Sequence, residues 1–374
     1  MIERIPMSSA DLDESDVEAV MSVLRSGRLA LGPKSAEFEQ LMADYIGVKH
    51  AIAVSSGTAA LHLIVKSLGI GLDAEVLVPS FTFAASINAF LYEGARPVFV
   101  EIEPETYNLD PADLERKITP RTRAIMAVDV FGHPAEWDDI LSIADRHGLK
   151  VIDDSCEALG ADYRGRKVGR FGDAAAFAFY PNKQMTTGEG GIIVTNDDEV
   201  ARLSRSLSNQ GRGEMGAWLE HPRLGYNYRL DEMSAALGAS QLRRIEEFIE
   251  KRERVARGYT ERLGRFDWVR CQVVKPHARM SWFVYVVTLA EGIDRDGVMR
   301  AMEGRGIPVR GYFSPAHLQP YIRESLGARE GDLPLTERVA KRTVALPFHN
   351  NLTESQIDQV VAALEEAALN SAEC

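Results

Sequence analysis

The sequence predicts an α/β protein whose largely parallel sheet is covered by helices on both faces. Two observations lead there: short apolar runs recur along the first half of the chain, and helical patterns lie between several of them. A third sets the scale, since 374 residues suffice for two domains and a large core.

Ser8-Ser9-Ala10-Asp11 precedes a helical pattern over residues 14–26, with apolar positions at Val17, Val20, Met21 and Leu24. A second helical signal covers 35–47. Residues 51–54 read as a short strand, and SSGTAALHLIVKSLGI as a turn opening a helix. The next strand is 75–78, followed by a helix around 84–93. Residues 97–100, 124–128, 149–152, 175–179 and 192–195 complete the strand series, with a helix at 137–147 between two of them. After Leu230 the texture changes, and 231–263 forms one long helical pattern with a break expected near 244–248. Beyond it, 282–288 reads as a strand, 294–305 as a helix, GYFSPAHLQPYI as a loop and 354–369 as a closing helix. The expected division is a large domain, 1–245, and a smaller α/β domain, 246–374.

Composition excludes several classes. The chain is 45% hydrophobic and 26% charged, as in ordinary soluble proteins, and its net charge of −12 argues against nucleic acid as a partner. Its three cysteines, Cys156, Cys271 and Cys374, are scattered and odd in number, which fits a reducing compartment. Without a CxxC or a Cys/His cluster, no metal is expected. The acidic opening residues contain no apolar core of a signal peptide, and apolar stretches stop short of a membrane span. A cytoplasmic location without membrane contact is the expectation.

The chemistry concentrates in 151–191. A buried strand ends on Asp153 and Asp154, and a second apolar run delivers Lys183 into a loop of small residues. A lysine amine can form a Schiff base with a cofactor aldehyde, and a carboxylate can keep a pyridine nitrogen protonated. An ordinary loop lysine and strand-end acid are the alternative. Gly57 and Thr58 open a helix after a strand, where free amides and the helix dipole favour a phosphate; a plain capped turn is equally available. Phe81 and Phe83 follow the next strand, either as core or as a ring that stacks on a ligand. In LGYNYRLDE, Asn227 and Arg229 could contact an anion, or satisfy the loop and an ion pair with Asp231.

In their order along the chain these motifs resemble the DegT/StrS family of sugar-nucleotide aminotransferases. The likeness begins at SGRLALGPKSAEFE and runs through SSGTAAL, PSFTFAAS, IDDSCEALGA, FGDAAAFAFYPNKQMTTGEGG, LGYNYRLDEMSAALG and VALPFHNNLTE. It implies the fold-type I architecture of pyridoxal-phosphate enzymes. That is a mixed, mostly parallel seven-stranded sheet between helices, with a smaller C-terminal α/β domain. It also implies roles: Lys183 holds pyridoxal 5′-phosphate, Asp154 contacts its pyridine nitrogen, Gly57 and Thr58 bind its phosphate, and Phe83 stacks on its ring. Asn227 would reach the phosphate from the neighbouring subunit, so a homodimer with shared active sites is expected. His133 and Arg229 are candidate substrate contacts.

Two positions depart from the family pattern. Ala178 stands where a serine commonly helps bind the phosphate, and Glu157 where Gln or His commonly lies near the ring oxygen. The implied reaction moves an amino group from an amino acid, glutamate in most of the family, through the pyridoxamine form to a keto group of a nucleotide-linked deoxy sugar. The product would serve a polysaccharide, glycan or antibiotic. A dehydratase or lyase and a non-catalytic regulator on the same scaffold are the alternatives. Lys183 speaks against the dehydratases, which carry histidine there, and no basic helix-turn-helix segment supports a regulator.

Overall fold

A computed structural model describes residues 5–213 and 220–372 of the chain, so Cys374 lies outside the described residues. Several of its helices start where the sequence supplies caps. Asp13 accepts from the backbone of Ser15 and Asp16 to open α1 (Glu14–Ser26), and Pro33 takes the first position of α2 (Pro33–Ile46). Ser56 caps α3 (Gly57–Ser67) by accepting from Ala59 N. There follow α4 (Ala84–Leu91), α5 (Pro111–Arg116), α6 (Trp137–His147) and α7 (Asp198–Ser208).

Nine strands lie in the same region. They are β1 (His50–Val54), β2 (Glu75–Pro79), β3 (Arg96–Val100), β4 (Thr122–Val128) and β5 (Lys150–Asp154), then β6 (Asp162–Tyr163), β7 (Arg166–Lys167), β8 (Ala174–Ala178) and β9 (Gly191–Thr195). Seven of them form one sheet in the order β1-β9-β8-β5-β4-β2-β3. The β3-β2-β4-β5-β8 stretch is parallel, while β9 runs antiparallel to both β8 and β1. This is the mixed, mostly parallel sheet anticipated. Both faces are buried, which is why the strands read as apolar throughout rather than alternating. Ile52, Val76, Ala124 and Ile152 pack under α3, α4 and α7. Leu77, Ile125, Val151 and Ala175 pack under α2 and α6 on the other face.

The rest of the chain contributes α8 (Glu232–Leu242), α9 (Ile245–Leu263), β10 (Val269–Arg270), β11 (Ala278–Arg279), β12 (Tyr285–Leu289) and α10 (Arg295–Gly304). It ends with α11 (Pro320–Leu326), α12 (Pro334–Ala340), β13 (Thr343–Leu346) and α13 (Glu354–Ala372). A three-stranded sheet, β10-β12-β13, carries a second core that includes Tyr285, Val287, Val344 and Val360. Helix α9 serves both cores: Ile245, Phe248 and Ile249 face the first, and Val255, Tyr259 and Leu263 the second.

Several boundaries differ from expectation. The long helix does break where expected, at Arg244, the first residue of the predicted stretch, which takes φ −109° and ψ 11°. The strand expected from 282 begins at Tyr285, because Trp282 holds a left-handed φ of 56° that no strand continues. The loop expected at GYFSPAHLQPYI runs straight into α11, which Pro320 initiates at its first position. Strand β13, the four residues Thr343–Leu346, was not anticipated, being too short for any periodicity to register.

Gly191 begins β9 directly against the backbone that opens α3. A Cβ there would lie 2.4 Å from the carbonyl carbon and oxygen of Ser56 and 2.7 Å from Gly57 N. Because backbone cannot yield cheaply, Gly191→Ala is expected to lower stability by about 2 kcal/mol in urea unfolding. Gly304→Ala, where a Cβ meets nothing within 4 Å, should leave the midpoint almost unchanged.

Candidate active site

The parallel strands end at one edge of the sheet, and there the chain encloses a cavity of about 370 Å³. Gly57 and Thr58 line it from the start of α3, Phe83 from the start of α4, Asp154 and Glu157 from the end of β5, and Lys183 from the loop after β8. Five sequence-predicted positions and the lysine therefore share one space.

Strand alternation separates the two neighbouring acids. Asp154 turns into the cavity, where Ser86 Oγ donates to its Oδ2 at 2.7 Å and Cys156 N to its Oδ1 at 3.2 Å. Asp153 points into the opposite layer and accepts from Gly169 N. Ser155 Oγ lies 2.6 Å from Asp153 Oδ1 and 2.7 Å from Asp129 Oδ2. One hydroxyl proton can serve only one of these acids, so the other must itself carry a proton. Asp129 also accepts from Ala135 N and Trp137 Nε1 and is the better satisfied anion. Burial and the Asp129 charge push Asp153 well above the carboxylate range, and the proton resides there.

Lys183 sits in a loop tied to Phe179. Phe179 N donates to Gly190 O, and Phe179 O accepts from Thr187 N and Thr186 Oγ1. The amine stands 3.9 Å from Glu157 Oε1 and 3.9 Å from the centre of the Phe283 ring. Glu157 is buried and accepts from Phe131 N through Oε2. Desolvation raises its pKa to about 7, opposed by the Lys183 charge. Burial, then the Asp154 charge, pushes the Cys156 thiol up as well, which leaves that group a poor nucleophile.

At the helix end, Ala60 N reaches Ser56 O and Ala59 N reaches Ser56 Oγ. The Gly57 and Thr58 amides come before these donors, at the positive end of the α3 dipole. A Cβ on Gly57 would lie 2.6 Å from Ala178 Cβ and 3.0 Å from Cys156 Sγ, so only glycine fits this cradle. Phe83 is 64% exposed, a large apolar ring bordering the cavity. Ala178 presents a methyl group to the same space. An amine, an opposed carboxylate, an aromatic plane and a helix N-terminus together suit an aldehyde-bearing pyridine phosphate.

Three predicted residues lie elsewhere. His133 is a correction: it is buried, Nδ1 lies 2.7 Å from Pro134 O, and Nε2 accepts from Lys275 N. Burial lowers its pKa to about 4, so it is a neutral structural group without access to substrate. Arg229 does not reach the cavity of its own chain; it donates to Asn209 Oδ1 at 2.9 Å. The ion pair with Asp231 is absent among the described residues, since Asp231 caps α8. Asn227 is exposed and also lies outside this cavity.

The sequence reading missed Asn182 and Phe283, which line the site beside Tyr312 and Phe313 of the expected GYFSPAHLQPYI loop. Phe283 comes from the distant C-terminal part, and no local motif marks it. Asn182 adjoins the lysine, and its buried Oδ1 has no hydrogen-bond partner, which is a local signal for a ligand.

Fold and site define a fold-type I, pyridoxal-phosphate-dependent enzyme. Residues 10–365 match the DegT/DnrJ/EryC1/StrS aminotransferase family, and the chain belongs to it. It is 42% identical to a GDP-perosamine synthase of Caulobacter vibrioides over 98% of both chains. It is 35% identical to the spore coat polysaccharide biosynthesis protein SpsC of Bacillus subtilis, over 97% of this chain and 96% of that one. Among solved structures, S. venezuelae DesV in complex with a ketimine intermediate superposes with a TM-score of 0.91, at 37% identity and 98% coverage of both chains. Helicobacter pylori PseC, an aminotransferase of pseudoaminic acid biosynthesis, gives 0.94 at 28% identity, covering 98% of this chain and 100% of that one.

Glu157 makes stability depend on pH. An exposed glutamate ionises near 4.5, whereas Glu157 keeps its proton up to about 7. Its contribution is therefore complete below the lower value and is lost as pH rises through the higher one. Urea unfolding of cofactor-free protein should show Glu157→Gln gaining stability relative to wild type between those values and levelling off above them. A constant difference across that window would show that Glu157 is ionised throughout.

Proposed function

We propose that this aminotransferase moves an amino group from an amino acid, L-glutamate first, to a keto group of a nucleotide-linked deoxy sugar. The reading rests on one observation above the others: Lys183 and Asp154 enter a single cavity beside the α3 N-terminus. The sugar class is supported by the end-to-end likeness to a GDP-perosamine synthase and points to amino sugars for a polysaccharide, glycan or antibiotic.

Bound pyridoxal phosphate supplies the electron sink for breaking the donor's α-carbon–hydrogen bond. Lys183 would hold the cofactor through its amine, and once freed by the amino donor its Nζ would serve as the base and then the acid that moves the donor's α-proton. Asp154, fixed by Ser86, keeps the pyridine nitrogen protonated. The Gly57 and Thr58 amides hold the phosphate, and Phe83 covers the ring. Glu157 can be neutral near pH 7 and thereby avoids repelling a ring oxygen.

A homodimer with shared sites fits two further facts. Asn227 is exposed outside its own cavity, free to serve a neighbour's phosphate. Val17, Met21 and Leu24 form an exposed apolar stripe on α1. A cytoplasmic location fits free Cys156 and Cys271, and no helix among the described residues is long and apolar enough to cross a membrane.

Purified protein given pyridoxal phosphate should develop the visible absorbance of a lysine-linked cofactor, which glutamate bleaches. Lys183→Ala should abolish that absorbance, and Asp154→Asn should lower kcat by about a hundredfold while cofactor still binds. A screen of keto-sugar nucleotides should then yield a glutamate-dependent amino sugar. Turnover by the Lys183→Ala protein would sink the assignment.

A further inference from the structure

Arg252, on α9, is 2% exposed and makes no ion pair among the described residues. Its guanidinium faces three backbone carbonyls instead. Nη2 donates to Lys183 O at 2.7 Å, and Nη1 to Trp282 O at 2.9 Å and Phe283 O at 3.2 Å. Nε has no partner, and the Phe348 ring lies 5.5 Å away. Desolvation lowers the guanidinium to about 10, so it remains charged at neutral pH. A fully buried charge costs several kcal/mol to desolvate, and here carbonyl dipoles rather than a carboxylate offset that cost.

The three carbonyls belong to the two walls of the amine. One is Lys183's own; the others flank the left-handed turn at Trp282 that presents the Phe283 ring to Nζ. We propose that Arg252 is a positioning residue for Lys183: one planar fork fixes the lysine backbone and the Phe283 segment to each other and to α9. Lysine cannot replace it, because a single ammonium lacks the planar fork that spans the two segments. The inference rests on Lys183 being the cofactor lysine. Glu157 faces the Lys183 amine, while Asp11, itself paired with Lys251, and the buried His349 face Arg252.

The test compares Arg252→Met and Arg252→Lys in the full chain, with thermal unfolding to confirm that each folds. Arg252→Met should still form the visible absorbance with pyridoxal phosphate. Its kcat should fall about tenfold to a hundredfold, with KM for the amino donor nearly unchanged. Arg252→Lys keeps the charge and loses the fork, so its kcat should still fall several-fold. A folded Arg252→Met protein with wild-type kcat overturns the proposal. If that variant does not fold, wild-type kcat in Arg252→Lys overturns it. Persistence of the absorbance in Lys183→Ala would instead overturn the reading of Lys183.

Discussion

Parallel strands hydrogen-bonded in register must be joined by crossovers, and so they finish at the same edge of the sheet. In this chain β2, β5 and β8 deliver Phe83, Asp154, Glu157 and Lys183 to that edge, across the space from the α3 N-terminus. The pairing of Val128 with Asp154, and of Asp154 with Ala176, fixes the carboxylate's height in the site. A slip of one residue in β5 would exchange Asp153 for Asp154 and replace the cavity acid with one meant for the opposite layer.

The sheet edge also determines which charges survive. Asp154 keeps contact with the cavity and a serine donor, whereas Asp153, one residue earlier, is closed off with Asp129 and retains a proton. Glu157 lies between these cases, buried yet within reach of the Lys183 amine. Arg252 carries its charge into the interior by spending three carbonyl contacts on it. Electrostatic order at this site thus comes from many short, directional contacts rather than from paired surface charges, which contribute little.

Local sequence made part of this legible. Lys183, Asp154, Gly57, Thr58, Phe83 and Glu157 each belong to a compact motif at a strand end or helix start, and all six line the cavity. Strand identities were readable because strands buried on both faces are apolar throughout. Phe283 and Arg252 were not readable, because they come from distant segments and act through tertiary contacts that leave no spacing in the sequence. His133 misled because a histidine beside glycine in a loop resembles an exposed polar group. Only the fold shows both of its nitrogens engaged by backbone.

The most direct test of the account is chemical trapping. Cofactor-free protein is mixed with pyridoxal phosphate, reduced with borohydride, digested and mapped by mass spectrometry. The account predicts one dominant modified peptide, with the reduced cofactor on Lys183. A label fixed instead on another lysine, or no stable label at all, would contradict it.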